Sequence, residues 1–383
     1  MSYRIAIIAG EPSGDRLGAA VVRAMPQLSP NIHFVGVGGE LMAKAGVELL
    51  YSCHDLSVMG LVEVLRHYPR LKRKLQWTVT ELQRLKPDLL LTIDYPGFNL
   101  RLATAMKRLG VPTLHYVGPQ VWAWRAGRLE TMKQQVDHIA LLFEFELPYY
   151  QQAGLAATVV GHPMVGWVHS TLTPAEAKIF CGSSPDRPLI GLFPGSRQSE
   201  IARHLPLMVA SAEKLWRNQP QRQFVLVAAT EPLAREIERW LRQADCRLPL
   251  QLVSGHSYDV MRGCELIIAA SGTVTLEIAL MQVPMVVIYR MAAVSYAILS
   301  RLVNIPHVSL CNIVANQAIV PELIQNQANV TRLVATAEPL LRPSAAKEQQ
   351  QRLATLKSML AIGERGSENV AQLALSILVS KEK

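Results

Sequence analysis

Cysteine is scarce in this chain and never paired. The five copies, Cys53, Cys181, Cys246, Cys264 and Cys311, are scattered without a CxxC spacing. That excludes a disulfide framework and a thiolate zinc site, and it reads as reduced core thiols in a cytoplasmic protein. Long apolar runs are missing as well: nothing approaches the ~18 residues of a membrane-spanning helix. The first residues carry no basic segment, and the strand-like Arg4–Ala9 stretch has only about half the apolar length of a signal peptide. No Walker A, H-E-x-x-H, H-x-x-E-H or DxD pattern occurs, and none of the ten histidines pairs at ligand spacing with another His, Cys or acid. Neither a metal nor a cofactor is therefore expected, and His115 reads as a core residue. Repeats of about 20–50 residues are absent, which excludes a solenoid.

What is present is a long, apolar, basic chain. Its 383 residues are half hydrophobic, with a mean hydropathy of +0.17. Disorder is excluded, and two α/β domains are the default for this length. The formal charge is +9. Between Gly60 and Lys86, Arg66, Arg70, Lys72, Arg73, Lys74, Arg84 and Lys86 stand against Glu63 and Glu81, a local +5. Just before it, Val58, Met59, Leu61, Val62, Val64 and Leu65 are too apolar for a helix with one face in water. The stretch is either a core helix that turns a cationic side to solvent, or a docking patch for an anionic nucleic acid or membrane surface.

The segment LKPDLLLTIDYPGFN is the centre of the first half. Leu89, Leu90, Leu91 and Ile93 form the short continuous apolar run of a parallel strand covered on both faces. Asp94 ends it, and Pro96 and Gly97 break the strand. An ionised carboxylate at the end of a buried strand needs water, a partner or a substrate. Strand carboxyl ends line the ligand crevice of open α/β sheets. Asp94 is thus either a catalytic base or the cap of the next helix. Upstream, the first strand runs into AGEPSGDRLGAA, a glycine-rich turn that is either a ligand loop or an ordinary strand-to-helix turn. Further strands at 32–37, 113–118 and 138–143 alternate with helices, which predicts a parallel sheet. Trp122 and Trp124 are either core or pocket border. Regular strands pause from Met164 to Pro188, apart from a short helix-like TPAEAKIF; the interdomain link is expected here, and a second βα series follows.

Two elements of that second series look chemical. In LFPGSRQSEI, Gly195 and Ser196 end a strand and Arg197 follows. A turn that aims amides outward beside a cation suits a diphosphate, whereas Arg197 is otherwise an ordinary surface charge. In AASGTVTLEIAL, Ser271-Gly272-Thr273 leaves a strand and Glu277 is the sole charge on an apolar helix. Glu277 can accept two ribose hydroxyls, or it can serve the helix dipole or an interdomain ion pair. Together these point to a nucleotide sugar.

The motifs GEPSGD (10–15), VMGLVEV (58–64), IDYPGFN (93–99), HYVGPQVWAWR (115–125), VGHP (160–163), LFPGSR (192–197), SGTVTLE (271–277) and SLCNIVANQAIVPELIQ (309–325), in this order, resemble the lipid-A-disaccharide synthase family. The resemblance implies an α/β fold of GT-B architecture, two Rossmann-like doubly wound domains with a cleft between them. The expected division is an N-terminal domain over 1–165, a C-terminal UDP-sugar domain over 186–363, and a terminal helix over 364–383 returning to the first domain. The implied reaction transfers 2,3-diacylglucosamine from its UDP derivative to the 6-hydroxyl of 2,3-diacylglucosamine 1-phosphate. The products are a β-1,6-linked disaccharide and UDP. The implied setting is peripheral, on the cytoplasmic face of the bacterial inner membrane, with an anionic membrane surface rather than nucleic acid as partner and a homodimer left open.

By residue, the resemblance implies Asp94 as the base and Arg197 as the stabiliser of departing UDP. Gly195, Ser196, Arg197, Ser271, Gly272, Thr273, Glu277 and Asn312 would hold the nucleotide. Gly10, Glu11, Ser13, Gly14 and Asp15 would shape the acceptor side. The membrane patch would comprise Val58, Met59, Leu61, Val62, Val64, Leu65, Arg70, Lys72, Arg73 and Lys74. Two departures stand out. The family pattern often has an acid where this chain has Gly97, and another after VGHP where Gly166 and Trp167 stand. The competing readings are a sugar-nucleotide epimerase of similar fold and a non-catalytic nucleotide-sugar-binding membrane protein.

Overall fold

The computed structural model describes residues 2–29, 31–56, 61–119, 121, 128–246, 248–292, 296 and 306–380, with backbone alone at 61–68 and 128. The chain divides into two compact units, one of residues 1–163 plus 362–383 and one of residues 164–361. Each is built on a wholly parallel sheet.

The first sheet contains β1 (Tyr3–Ala9), β2 (Ile32–Gly38), β3 (Val47–Ser52), β4 (Leu89–Ile93), β5 (Thr113–Tyr116), β6 (His138–Leu141) and β7 (Ala157–Val159), in the order β3-β2-β1-β4-β5-β6-β7. All five residues of β4 are buried. The continuous apolar run is therefore a central strand with helices on both faces. Helices α1 (Pro12–Ala24), α2 (Glu40–Lys44), α3 (Leu61–Leu85) and α4 (Pro96–Arg108) connect its first strands. On one face Ile8, Leu90, Phe98, Leu102, Met106 and Leu141 close a single apolar cluster. The final helix, Gly366–Ser380, belongs to this unit, where the Asn369 amide donates to the Val160 carbonyl at 2.9 Å.

The second sheet contains β8 (Leu189–Phe193), β9 (Gln223–Ala228), β10 (Leu250–Ser254), β11 (Leu266–Ala270), β12 (Met285–Tyr289) and β13 (Glu322–Ile324), in the order β10-β9-β8-β11-β12-β13. Every residue of β8 and β11 is buried. In both sheets the order reverses once, between β1 and β4 in the first and between β8 and β11 in the second. At such a reversal the outgoing loops diverge to opposite faces and leave a crevice at the strand ends.

Within the stretch read as a link, the helix-like TPAEAKIF is a helix. Residues 174–180 form a helix whose first turn is closed by a Thr173–Glu176 capping box. This helix packs on the Ser257–Gly263 helix of the second unit, and its Lys178 ammonium is buried against Glu265. Thr173 and Glu176 are thus helix caps rather than solvated linker residues.

Candidate active site

At the reversal of the first sheet the chain leaves β4 through two consecutive left-handed residues, Asp94 at φ +48° and Tyr95 at φ +47°. Neither is glycine, so the conformation costs energy and persists only because its surroundings hold it. The Asp94 amide donates to the Tyr116 carbonyl at 2.8 Å. The Tyr95 hydroxyl donates to Leu56 O at 2.9 Å, and its ring lies where a Cβ on Gly10 would stand. The glycine turn after β1 is therefore required by Tyr95, and it places the exposed Glu11 near Tyr95, with Ser13 exposed two residues on. Burial pushes the Asp94 carboxyl up from its ordinary value, and a bond from the Tyr95 amide pulls the other way. Burial, with the charge of Glu11 added, also raises the Tyr95 phenol.

Two expected acceptor-side residues have other work. Asp15 is buried, and its carboxylate accepts from the amides of Gly39 at 2.7 Å, Met42 at 3.0 Å and Leu41 at 3.1 Å. From α1 it caps the adjoining α2, which occupies three of its hydrogen-bonding positions. Gly14 is packed against Ala9 and Ile93.

The reversal of the second sheet brings together Gly195-Ser196-Arg197, after β8, and Ser271-Gly272-Thr273, after β11. The Ser196 and Arg197 amides do not point outward. They donate to Glu200 Oε2 at 3.0 and 3.2 Å, and Arg197 Nη1 pairs with Glu200 Oε1 at 2.8 Å. Glu200 caps the first turn of the Gln198–Asn218 helix, so the group this loop leaves exposed is the guanidinium and not these amides. His204 anchors the loop from below, with Nδ1 donating to Pro194 O at 3.0 Å and Nε2 accepting from the Arg290 amide at 3.0 Å. Burial lowers its pKa and keeps it neutral, as the acceptor role of Nε2 requires.

Ser271 donates to Val308 O at 2.9 Å, while Gly272 and Thr273 are exposed. Glu277 lies half-buried on the Val274–Leu280 helix and accepts from the Tyr258 hydroxyl at 3.0 Å. It opens on a cavity of about 330 Å³ lined also by His169, His256, Ser257, Tyr258 and Asp259. The cavity is large enough for a nucleoside. Residues 256–259, the N-cap and first turn of the Ser257–Gly263 helix, went unnoticed in the sequence because nothing in their composition marks them; only the fold sets them opposite Glu277.

Asn312 does not join this cavity. It is fully buried, its Nδ2 donating to Val320 O and Glu322 Oε1 and its Oδ1 accepting from the amides of Ile319 and Val320, all between 2.8 and 3.0 Å. All four hydrogen-bonding positions of the amide are filled, so none remains for a nucleotide.

Of the expected membrane patch, Val58 and Met59 lie outside the described residues, as do Trp122 and Trp124. Leu61, Val62, Val64 and Leu65 fall on the helical backbone of α3. Arg70, Lys72 and Arg73 are exposed. Lys74 pairs with Asp55 at 2.8 Å and sits 4.0 Å over the Tyr51 ring, so it is tied to the protein. Among the described residues no helix is long and apolar enough to cross a membrane, and no group of three His, Cys, Asp or Glu could hold a metal.

A family model described as Lipid-A-disaccharide synthetase matches residues 5–377. The chain belongs to the lipid-A-disaccharide synthase family. It is 43% identical over 378 residues to the lipid-A-disaccharide synthase of Geobacter sulfurreducens, covering 98% of each chain. It is 41% identical to that of Nitrosococcus oceani, covering 98% of this chain and 96% of the other. Among solved structures it is similar to the UDP-GlcNAc 2-epimerase of Neisseria meningitidis bound to UDP-GlcNAc (TM-score 0.66, 12% identity, 97% and 100% of the two chains). It is also similar to a glycosyltransferase from Rickettsia africae (TM-score 0.60, 13% identity, 98% and 99%). At such identities these structures show the fold alone, the GT-B arrangement of two doubly wound units. Epimerases share that fold, so it is family membership that decides. As a lipid-A-disaccharide synthase family member, the protein is a glycosyltransferase that takes a UDP-sugar donor and forms the lipid A disaccharide.

Proposed function

We propose that the donor is UDP-2,3-diacylglucosamine, that the acceptor is 2,3-diacylglucosamine 1-phosphate, and that Asp94 takes the proton from the acceptor 6-hydroxyl. The observation that carries this is the Asp94 corner: a half-buried carboxyl in a left-handed turn at the sheet reversal, with its pKa raised. An α-linked donor giving a β-linked product requires one in-line displacement with inversion. The acceptor oxygen forms its bond to C1 while the bond to the diphosphate breaks, and the hydroxyl proton passes to the carboxylate. Gly97 stands where the family pattern often has a second acid, so within IDYPGFN the step falls to Asp94 alone.

The second unit would hold UDP. Glu277 accepts ribose hydroxyls at the mouth of its cavity, and Arg197 meets the charge that gathers on the departing diphosphate. The Arg197–Glu200 pair is solvent-exposed, hence weak, and a diphosphate can compete for the guanidinium. Glu11 and Ser13 would flank the acceptor. The cationic residues Arg70, Lys72 and Arg73 support docking on the anionic cytoplasmic face of the inner membrane, where two acylated substrates are found.

Asp94→Asn should fold, bind UDP as the wild type does, and lose on the order of 10²–10⁴ in kcat. In the wild type, kcat/KM should rise with pH through the Asp94 pKa, because only the deprotonated carboxylate accepts a proton. That rise should lie above the pH of an ordinary aspartate. Turnover of Asp94→Asn near that of the wild type would remove Asp94 from the mechanism.

A further inference from the structure

The Asp94 corner is held by the last side chain of the IDYPGFN motif, for which the resemblance implies no role. Asn99 lies in the first turn of α4 and is fully buried. Its Nδ2 faces three carbonyl oxygens, Asp94 O at 2.7 Å, Ile93 O at 3.0 Å and Ile8 O at 3.5 Å. Three acceptors around one terminal atom identify that atom as the amide nitrogen. Among the described residues its Oδ1 has no hydrogen-bond partner, so what the side chain contributes is carried by its nitrogen.

The placement follows from the topology. Ile8 and Ile93 are at the carboxyl ends of β1 and β4, the two strands between which the sheet order reverses. There the loops part, the ladder ends, and the last carbonyls lose their strand donors. Buried carbonyls need replacements. Asn99 supplies them and in doing so ties both strand ends to the peptide that carries Asp94. From the opposite side the Asp94 amide is fixed to Tyr116 O. The backbone of Asp94 is thus gripped at its amide and at its carbonyl. That grip holds the left-handed pair Asp94–Tyr95 and aims the Tyr95 amide at the Asp94 carboxylate.

We propose that Asn99 is the positioning residue for Asp94, acting on the reaction only through the orientation and desolvation of that carboxylate. This rests on the reading of Asp94 as the base. A general base must stand within hydrogen-bond reach of the hydroxyl it deprotonates, and small displacements of such a group cost large factors in rate. A corner without its clamp would let the carboxylate swing and admit water. Both kcat and the pKa of Asp94 should then fall.

The test is a double-mutant cycle with the full-length protein, synthetic UDP-2,3-diacylglucosamine and 2,3-diacylglucosamine 1-phosphate. Asn99→Ser should melt as a folded protein and bind UDP within about twofold of wild type, because the nucleotide residues belong to the other unit. Its kcat should fall about 10–100-fold, the scale of a misplaced reacting group. The acidic limb of kcat against pH should shift to lower pH as the carboxylate becomes solvated. Placed on Asp94→Asn, the same change should cost nothing further in kcat, since two residues acting as one unit are not additive. Asn99→Gln, which keeps the amide but lengthens its reach, should show a smaller loss with the same signature. Equal losses on both backgrounds, or an unmoved acidic limb, would make Asn99 purely structural and overturn the proposal. So would failure of both variants to fold. If Asp94→Asn is crippled while the Asn99 variants turn over normally, only the positioning role fails. If Asp94→Asn itself is active, the base assignment has failed and this inference goes with it.

Discussion

Asn312 and Glu277 show how differently two polar residues of one unit can be used. Glu277 is half-buried, accepts from the Tyr258 hydroxyl, and opens on the cavity. Asn312 is sealed, with four short bonds that join the Leu310–Ala315 helix to residues 319–322. Removing a buried amide leaves its partners unsatisfied, at about 1–3 kcal/mol for each buried group. Asn312→Ala should therefore lower the urea midpoint by more than about 2 kcal/mol of stability, while the folded fraction binds UDP unchanged in calorimetry. Glu277→Gln should do the reverse, keeping its midpoint and weakening UDP. A stable Asn312→Ala that no longer binds UDP would return this residue to the nucleotide. Asp15 belongs with Asn312: acidic and conspicuous in a glycine-rich turn, but occupied by three amides.

Among the elements, the helices around the second sheet are joined by a buried cation. Arg222, 5% exposed, sends Nη1 and Nη2 to the Glu338 carboxylate at 2.9 and 2.7 Å, and Nη1 also to Leu215 O at 2.9 Å. This links the end of the Gln198–Asn218 helix to the Val330–Leu340 helix. The bonds from Arg222, with a smaller opposing effect of burial, hold the Glu338 carboxyl below its ordinary value of 4.5. A depressed acid contributes stability above its unfolded pKa and loses it as pH falls through the folded one. Glu338→Gln should then cost about 1–3 kcal/mol at pH 7, where the charge-assisted bonds are present. Wild type and variant should converge in urea melts as the pH falls below the ordinary glutamate value and Glu338 takes up its proton. A gap that stays the same as the pH falls would show that the pair is held by packing and not by charge.

For the whole molecule, the open matter is how a protein without a spanning helix among its described residues meets two lipid substrates. Exposed Arg70, Lys72 and Arg73 on α3 can each contribute about 1 kcal/mol at an anionic surface. Lys74, paired with Asp55, should add little. The protein should sediment with anionic vesicles, less with neutral ones, and be partly released by salt. Replacing Val62, Val64 and Leu65 together with Ser separates the two readings of the apolar run. A membrane patch keeps its melting temperature and leaves the vesicles. A core helix loses several kcal/mol and aggregates; a destabilised variant that still sediments with vesicles would refute the patch.

Much of this protein is determined by its sequence alone. Continuous apolar runs such as Leu89–Ile93 and Leu266–Ala270 can only be strands covered on both sides, and their alternation with helical segments forces parallel sheets. The place of Asp94 follows from the same pattern, since a charge at the end of such a run must emerge at the strand's carboxyl end. The ordered motifs were enough to name the family. What the sequence could not decide is which polar groups are free. Asp15 meets Gly39 across 24 residues and Tyr258 meets Glu277 across 19. Glu200, only three residues from Arg197, closes the amides read as a phosphate cradle. The helix at 174–180 was legible in TPAEAKIF, but not that its Lys178 is buried against Glu265, 87 residues on. Periodicity reports which residues leave water, because burial repeats along the chain. It does not report which donor finds which acceptor, because hydrogen bonds depend on segments that only the packed sheets bring within 3 Å or so of one another.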